Sequence, residues 1–167
     1  GQGFEPSNIV LAGDSAGGGL VLSVLLAARD AGTPLPAAGV CFSPWVDLEC
    51  SGESMAANDH LDDFIKYGGL SARAESYLAG ADPENPLASA LFADLRGLPP
   101  LLVHVGSAET LLDDSTRLAA LAKKAGVDLT LKIWDDMVHV WQAFASILPE
   151  GQQSIEETGA FIREKLG

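Results

Sequence analysis

The sequence has 167 residues, 47% of them hydrophobic, with 18 glycines and 9 prolines, a composition able to bury one core but hardly two. A formal charge of −13 with only 10 Lys and Arg argues against DNA or RNA as a partner, because phosphate binding needs clustered cations. The longest largely apolar stretch, Gly17 to Ala28, is interrupted by Ser23 and falls short of the ~20 residues that a spanning helix requires, so no membrane span is expected.

The opening residues, Gly1-Gln2-Gly3-Phe4-Glu5-Pro6, have neither the basic start nor the apolar run of a signal peptide, which makes the cytoplasm the expected location. Cys41 and Cys50 lack metal-ligand spacing and read as free structural thiols, with Cys41 inside an apolar strand-like run. Asn8 to Ala12 is a short β-rich run, followed by a glycine-rich turn and a long apolar helical segment ending at Arg29-Asp30-Ala31-Gly32. Ala37 to Phe42 predicts a second strand, stopped by Ser43-Pro44 because proline removes a ladder donor and restricts its predecessor. Leu101 to Val105 predicts a third strand, Asp114 to Lys124 a helix that stops at Gly126, Leu129 to Trp134 a fourth strand, and Gln152 to Leu166 a closing helix.

Strands separated by helical segments imply an α/β domain with a mostly parallel sheet flanked by helices, occupying residues 1–167 as one unit. One interval breaks the rhythm. Nearly sixty residues separate the second and third strands, with helical pieces expected at Leu61–Ile65 and Leu70–Leu78. An insertion there, centred on about residues 49–85, would overhang a site at the strand ends as a lid does.

Gly13-Asp14-Ser15-Ala16-Gly17 has the Gly-x-Ser-x-Gly pattern of a nucleophile elbow, standing between a strand and a helix where the pattern has meaning. A sharp, strained turn there would lift the serine oxygen above the sheet, with Gly13 and Gly17 leaving room for neighbouring backbone. Ser15 would open the helix, where the Ala16 amide faces negative charge developing on an attacked carbonyl oxygen, as an oxyanion-hole donor.

Serine needs a base, and the chain has 3 histidines. His104 falls within the third strand and His60 within the insertion, whereas His139 follows the fourth strand at the end where a base could reach Ser15. The acid that orients the imidazole is expected between nucleophile and histidine in chain order. Glu109 lies on the loop after the third strand. Asp113 is its rival, although Asp113 and Asp114 stand where they would cap the next helix, and Asp135 and Asp136 are placed to shape the turn before His139.

With these residues in place, the sequence resembles the hormone-sensitive-lipase-like esterases, bacterial family IV, in the branch with a Gly-Asp-Ser-Ala-Gly elbow. The resemblance extends through Ser43-Pro44-Trp45-Val46-Asp47-Leu48, Gly106 to Asp114, and Met137-Val138-His139-Val140-Trp141. It implies an α/β-hydrolase fold and a carboxylesterase acting on short-chain acyl esters. Ser15 would carry the acyl group, His139 would serve as base and then acid, and Glu109, four residues before Asp113, would be the acid. It implies no metal and no cofactor. The insertion would be the part of the cap contributed from within the sheet, and Trp45, Val46, Met137, Val138 and Trp141 would line the pocket.

The family's upstream His-Gly-Gly-Gly motif, whose amides complete the oxyanion hole, has no counterpart here, since no His-Gly dipeptide occurs. By the resemblance the chain corresponds to the C-terminal portion of such an enzyme. The elbow strand would then be an exposed edge open to self-association, and the isolated chain would be weak or inactive. A non-catalytic fragment or binding module derived from the same fold is the alternative function.

Overall fold

The computed structural model describes residues 3–167. Gly1 and Gln2, which begin the stretch read for a signal peptide, lie outside the described residues. The four apolar runs form strands β1 (Val10–Asp14), β2 (Ala38–Phe42), β3 (Leu101–Gly106) and β4 (Leu129–Trp134). They pair in parallel in the order β1-β2-β3-β4, with Gly13 beside Cys41, Cys41 beside Val103 and Val103 beside Leu131. β1 begins two residues later than expected because Pro6–Asn8 forms a 3-10 turn, closed by the Ile9 amide on the Pro6 carbonyl.

Among the described residues five α-helices accompany the sheet: α1 (Ala16–Asp30), α2 (Ser54–Ala57), α3 (Tyr67–Leu78), α4 (Leu112–Ala125) and α5 (Pro149–Leu166). α1 and α4 cover one face, where Leu22, Leu25 and Leu26 of α1 and Leu118 of α4 enclose Cys41, Leu101 and Val103 in the main core. Each such leucine, fully removed from water, contributes about 1.5–3 kcal/mol before its entropy cost. Residues one step along the strands face α5, so His104 Nδ1 meets the Ser154 hydroxyl at 2.6 Å. α5 starts earlier than expected, with Pro149 in its first turn, where the missing amide costs no intrahelical bond. No helix among the described residues is long and apolar enough to cross a membrane.

The insertion differs from its reading in two elements, of which the first is α2, a helix at Ser54–Ala57 where none was expected. Leu61–Ile65 is a turn, not a helix, because the buried Asp62 carboxylate accepts the Phe64 and Ile65 amides through Oδ1 and so offers that backbone a local alternative to helical bonding. α2 and α3 lie on either side of it. Asp113 and Asp114 also behave differently from the caps expected at α4. They sit in its first turn, but α4 has Leu111 at its N-cap and no side-chain cap. Their carboxylates reach across instead, Asp113 to the Ser54 amide and Asp114 to the amides of Val46 and Asp47. Those loop amides have no ladder partner, and a buried donor left unpaired is costly, while the Asp113 amide of α4 finds its own partner in the Ser54 hydroxyl at 3.0 Å.

Candidate active site

In an open parallel sheet the carboxyl ends of the strands form the natural crevice for a ligand. Each of the first three strands here is followed by a serine whose amide extends the ladder by one bond: Ser15 to the Phe42 carbonyl (2.8 Å), Ser43 to that of His104 (2.7 Å), and Ser107 to that of Trp134 (2.9 Å). The backbone is strained at this rim. Ser15 has φ 54° and ψ −122°, and Ser43, Asp136 and Val140 also have positive φ. Non-glycine residues in such conformations cost of order 1–3 kcal/mol each and persist only where their surroundings fix them.

At Ser15 the fixing is visible. Its amide is held by Phe42 and its carbonyl accepts the amides of Gly19 and Trp45. A Cβ on Gly13 would lie 2.3 Å from the Gly17 carbonyl oxygen, so only glycine allows the strand to double back into α1. Gly17 itself departs from the sequence reading. A Cβ there would meet nothing within 4 Å, and the close approaches fall instead at Gly18 and Gly19, against Pro44 and Trp45. Ala16 is the first residue of α1, and its amide is one of those that a helix leaves without an internal partner.

The loops after β3 and β4 bring Glu109 and His139 together. A Cβ on Gly106 would sit 2.0 Å from the Met137 carbonyl oxygen, so the backbone after β4 crosses directly over the end of β3, and the Ala108 amide bonds that same carbonyl. His139 Nδ1 donates to Glu109 Oε2 at 2.7 Å. Glu109 Oε1 accepts the Ser43 hydroxyl at 2.8 Å and the Gly106 amide at 2.6 Å. The carboxylate is fully buried and is occupied as an acceptor on both oxygens, which fixes the proton on Nδ1 and leaves Nε2 as the basic nitrogen. Among the described residues no hydrogen bond joins His139 to Ser15.

The rival residues are elsewhere. His104 is buried under α5, where burial pushes its imidazole down to about 4, and His60 is exposed. Asp113 bonds Ser54, and Asp135 and Asp136 form the turn after β4. Asp114 joins Asp47 and Arg117 in a buried network. Burial raises the Asp114 carboxyl to about 7, whereas at Asp47 the same penalty is outweighed by hydrogen bonds from Ser51 and Arg117. This network holds the Val46-Asp47 backbone that follows the strained Ser43.

A cavity of about 390 Å³ opens beside the elbow, walled by Ala16, Gly17 and Leu20 of α1, by Trp45 and Leu48, and by Tyr77 of α3. Trp45 is thus on a cavity wall. Val46 and Trp141 are fully buried, Val46 within the main core, and Met137 and Val138 are half-buried on the loop over Gly106. A shallower depression of about 690 Å³ along α3 contains none of these polar groups. Both cysteines are free and buried, and burial raises the Cys41 thiol to about 12. Among the described residues no cluster of three His, Cys, Asp or Glu could hold a metal.

Sequence reasoning missed Ser43 as the support of Glu109, and Leu20 and Tyr77 as cavity walls. The Ser43 hydroxyl meets a partner 66 positions away, a separation that no local pattern encodes. Ser43 does precede a proline at a strand end, which is the one local sign of an unusual backbone there.

A family profile described as an alpha/beta hydrolase fold matches residues 1–143. The chain belongs to the α/β-hydrolase fold family. It is 51% identical to an acetyl-hydrolase of Streptomyces hygroscopicus over 99% of this chain and 56% of that protein, and 36% identical to an esterase of Acinetobacter venetianus over 96% and 53%. A solved esterase from the bacterial hormone-sensitive lipase family superposes with a TM-score of 0.97 at 56% identity, over 99% of this chain and 56% of that one. An esterase/lipase from an uncultured bacterium gives 0.95 at 53% identity, over 99% and 55%. The chain therefore resembles the hormone-sensitive-lipase-like family IV esterases along its length, while spanning about half the length of the relatives it matches.

Proposed function

We propose that this chain carries the Ser-His-Glu triad of a carboxylic ester hydrolase acting on short-chain acyl esters. The observation that carries the reading is the buried Glu109 carboxylate bonded to His139 Nδ1 at 2.7 Å, on the same sheet end as the strained Ser15 turn. Ser15 Oγ attacks the ester carbonyl and gives its proton to His139 Nε2, while Glu109 stabilises the resulting imidazolium. The Ala16 amide faces the developing oxyanion. Collapse of the tetrahedral intermediate expels the alcohol, which takes the proton from Nε2 and leaves an acyl group on Ser15. A water activated by the same nitrogen then releases the acid. The absence of a Ser15–His139 hydrogen bond is compatible with this sequence, since such bonds tighten when substrate binds.

The Streptomyces relative is named for acetyl hydrolysis, and the apolar cavity beside Ala16 suits a short acyl or alcohol group, with Trp45 as one wall. The segment between β2 and β3, with α2 and α3, serves as a cap over the strand ends. The β1 edge, paired only on its β2 side, is the surface for self-association.

The test is hydrolysis of p-nitrophenyl acetate and butyrate, with fluorophosphonate labelling in parallel, by the chain beside Ser15→Ala. Label and turnover lost together in the variant support the reading. Equal rates and equal labelling overturn it.

A further inference from the structure

The loop that presents Glu109 is gripped from outside the sheet by one short stretch of the insertion. Asn58 Nδ2 donates to the carbonyls of Ser107 (3.2 Å) and Glu109 (3.0 Å). The fully buried Asp62 carboxylate accepts the Thr110 amide at 3.2 Å. The peptide group joining Glu109 to Thr110 is thus held at both ends, its carbonyl by Asn58 and its N–H by Asp62. These two residues are themselves locked together, because the Asn58 carbonyl accepts the amides of Leu61 and Asp62. Ser54 adds a bond from its hydroxyl to the Thr110 carbonyl and receives one from the Asp113 amide.

The same stretch touches the histidine side of the site. Asp62 Oδ1 fixes the Phe64 amide, and the Phe64 ring lies against Phe144, five residues beyond His139, with ring centroids 5.7 Å apart. A covering segment needs only loose apolar contact with what it covers. This one makes directed hydrogen bonds to the backbone on both sides of one carboxylate. Polar groups buried in this way are strongly geometry-setting, since any displacement leaves a donor or acceptor unpaired.

We infer that Asn58 and Asp62 are positioning residues which set the backbone of Glu109 and through it the Glu109–His139 hydrogen bond, so that the insertion tunes the base as well as covering the site. The inference rests on the triad reading proposed above. The insertion is thereby coupled to the basicity of His139 Nε2, and a shift of this segment weakens the base.

The experiment uses the chain in four forms: wild type, Ser15→Ala, Asn58→Ala and Asp62→Asn. Proton NMR follows the low-field His139 Nδ1–H signal that a hydrogen bond to carboxylate produces, and fluorophosphonate labelling of Ser15 is followed against pH. Thermal unfolding monitors the fold. The expected result is that Asn58→Ala remains folded, loses or shifts the low-field proton, and labels about tenfold or more slowly with a displaced pH midpoint. Asp62→Asn is expected to act in the same direction with a larger drop in melting temperature. A folded Asn58→Ala with an unchanged proton signal and an unchanged pH profile overturns the inference and leaves the segment a cover only. Labelling that is independent of Ser15 in the wild type overturns the triad reading instead, while the NMR signal still tests the clamp. A wild type without the low-field proton overturns the clamp itself.

Discussion

Glu109 sits at the junction of three strands' loops, bonded to Ser43 after β2, to Gly106 at the end of β3 and to His139 after β4. A carboxyl group this deep is tolerated only when its oxygens are satisfied, so each bond supports the fold as well as the site. Ser43→Ala removes one bond to a charged acceptor and also leaves the Val140 amide without its 3.2 Å partner. The expected loss is about 1.5–3 kcal/mol of stability, read as a lower urea midpoint at unchanged slope, with slower Ser15 labelling. His104 gives a second, separable prediction. Burial lowers its imidazole from 6.5 to about 4, so the unfolded chain binds this proton more readily than the folded one. Its contribution is therefore complete above pH 6.5 and is lost as pH falls towards 4, amounting to about 3 kcal/mol in total. Urea unfolding at pH 7 and pH 4 should show that part of the loss disappearing in His104→Gln.

At the scale of elements, the site depends on how closely loops cross strand ends. The segment after β4 passes over Gly106 at a distance that a methyl group would block, and this crossing sets His139 above the β3 loop. Gly106→Ala is expected to displace that segment, to cost about 1–3 kcal/mol as overpacking does, and to break the Glu109–His139 bond. A fall in melting temperature with loss of the low-field imidazole proton would register both effects. α4 illustrates a related trade. Its N-terminus has no side-chain cap because Asp113 and Asp114 are engaged by backbone amides of the insertion and of the loop after Ser43. Helical pattern placed these aspartates correctly at a helix start, but the choice between capping and crossing belonged to buried amides many residues away.

For the whole molecule, β1 is the exposed feature. It forms one edge of the sheet, with Ile9 37% exposed beside it and Val24 45% exposed on α1. Under the self-association proposed for this edge, light scattering on the 17.4 kDa chain gives a mass above that of the monomer, and a strictly monomeric solution overturns it. The α/β class, the four strands, and Ser15, Glu109 and His139 as candidates were all legible in the linear chain. Those rest on local patterns: apolar periodicity, proline and glycine punctuation, and an elbow motif between strand and helix. Folding alone makes Leu61–Ile65 a turn, makes Gly106 rather than Gly17 a point of close backbone approach, and brings Ser43, Asn58 and Asp62 into hydrogen bonds around the Glu109 loop. Those outcomes depend on which buried donors and acceptors meet across dozens of residues, and hydrogen-bond partners brought together by folding leave no periodic trace in the chain.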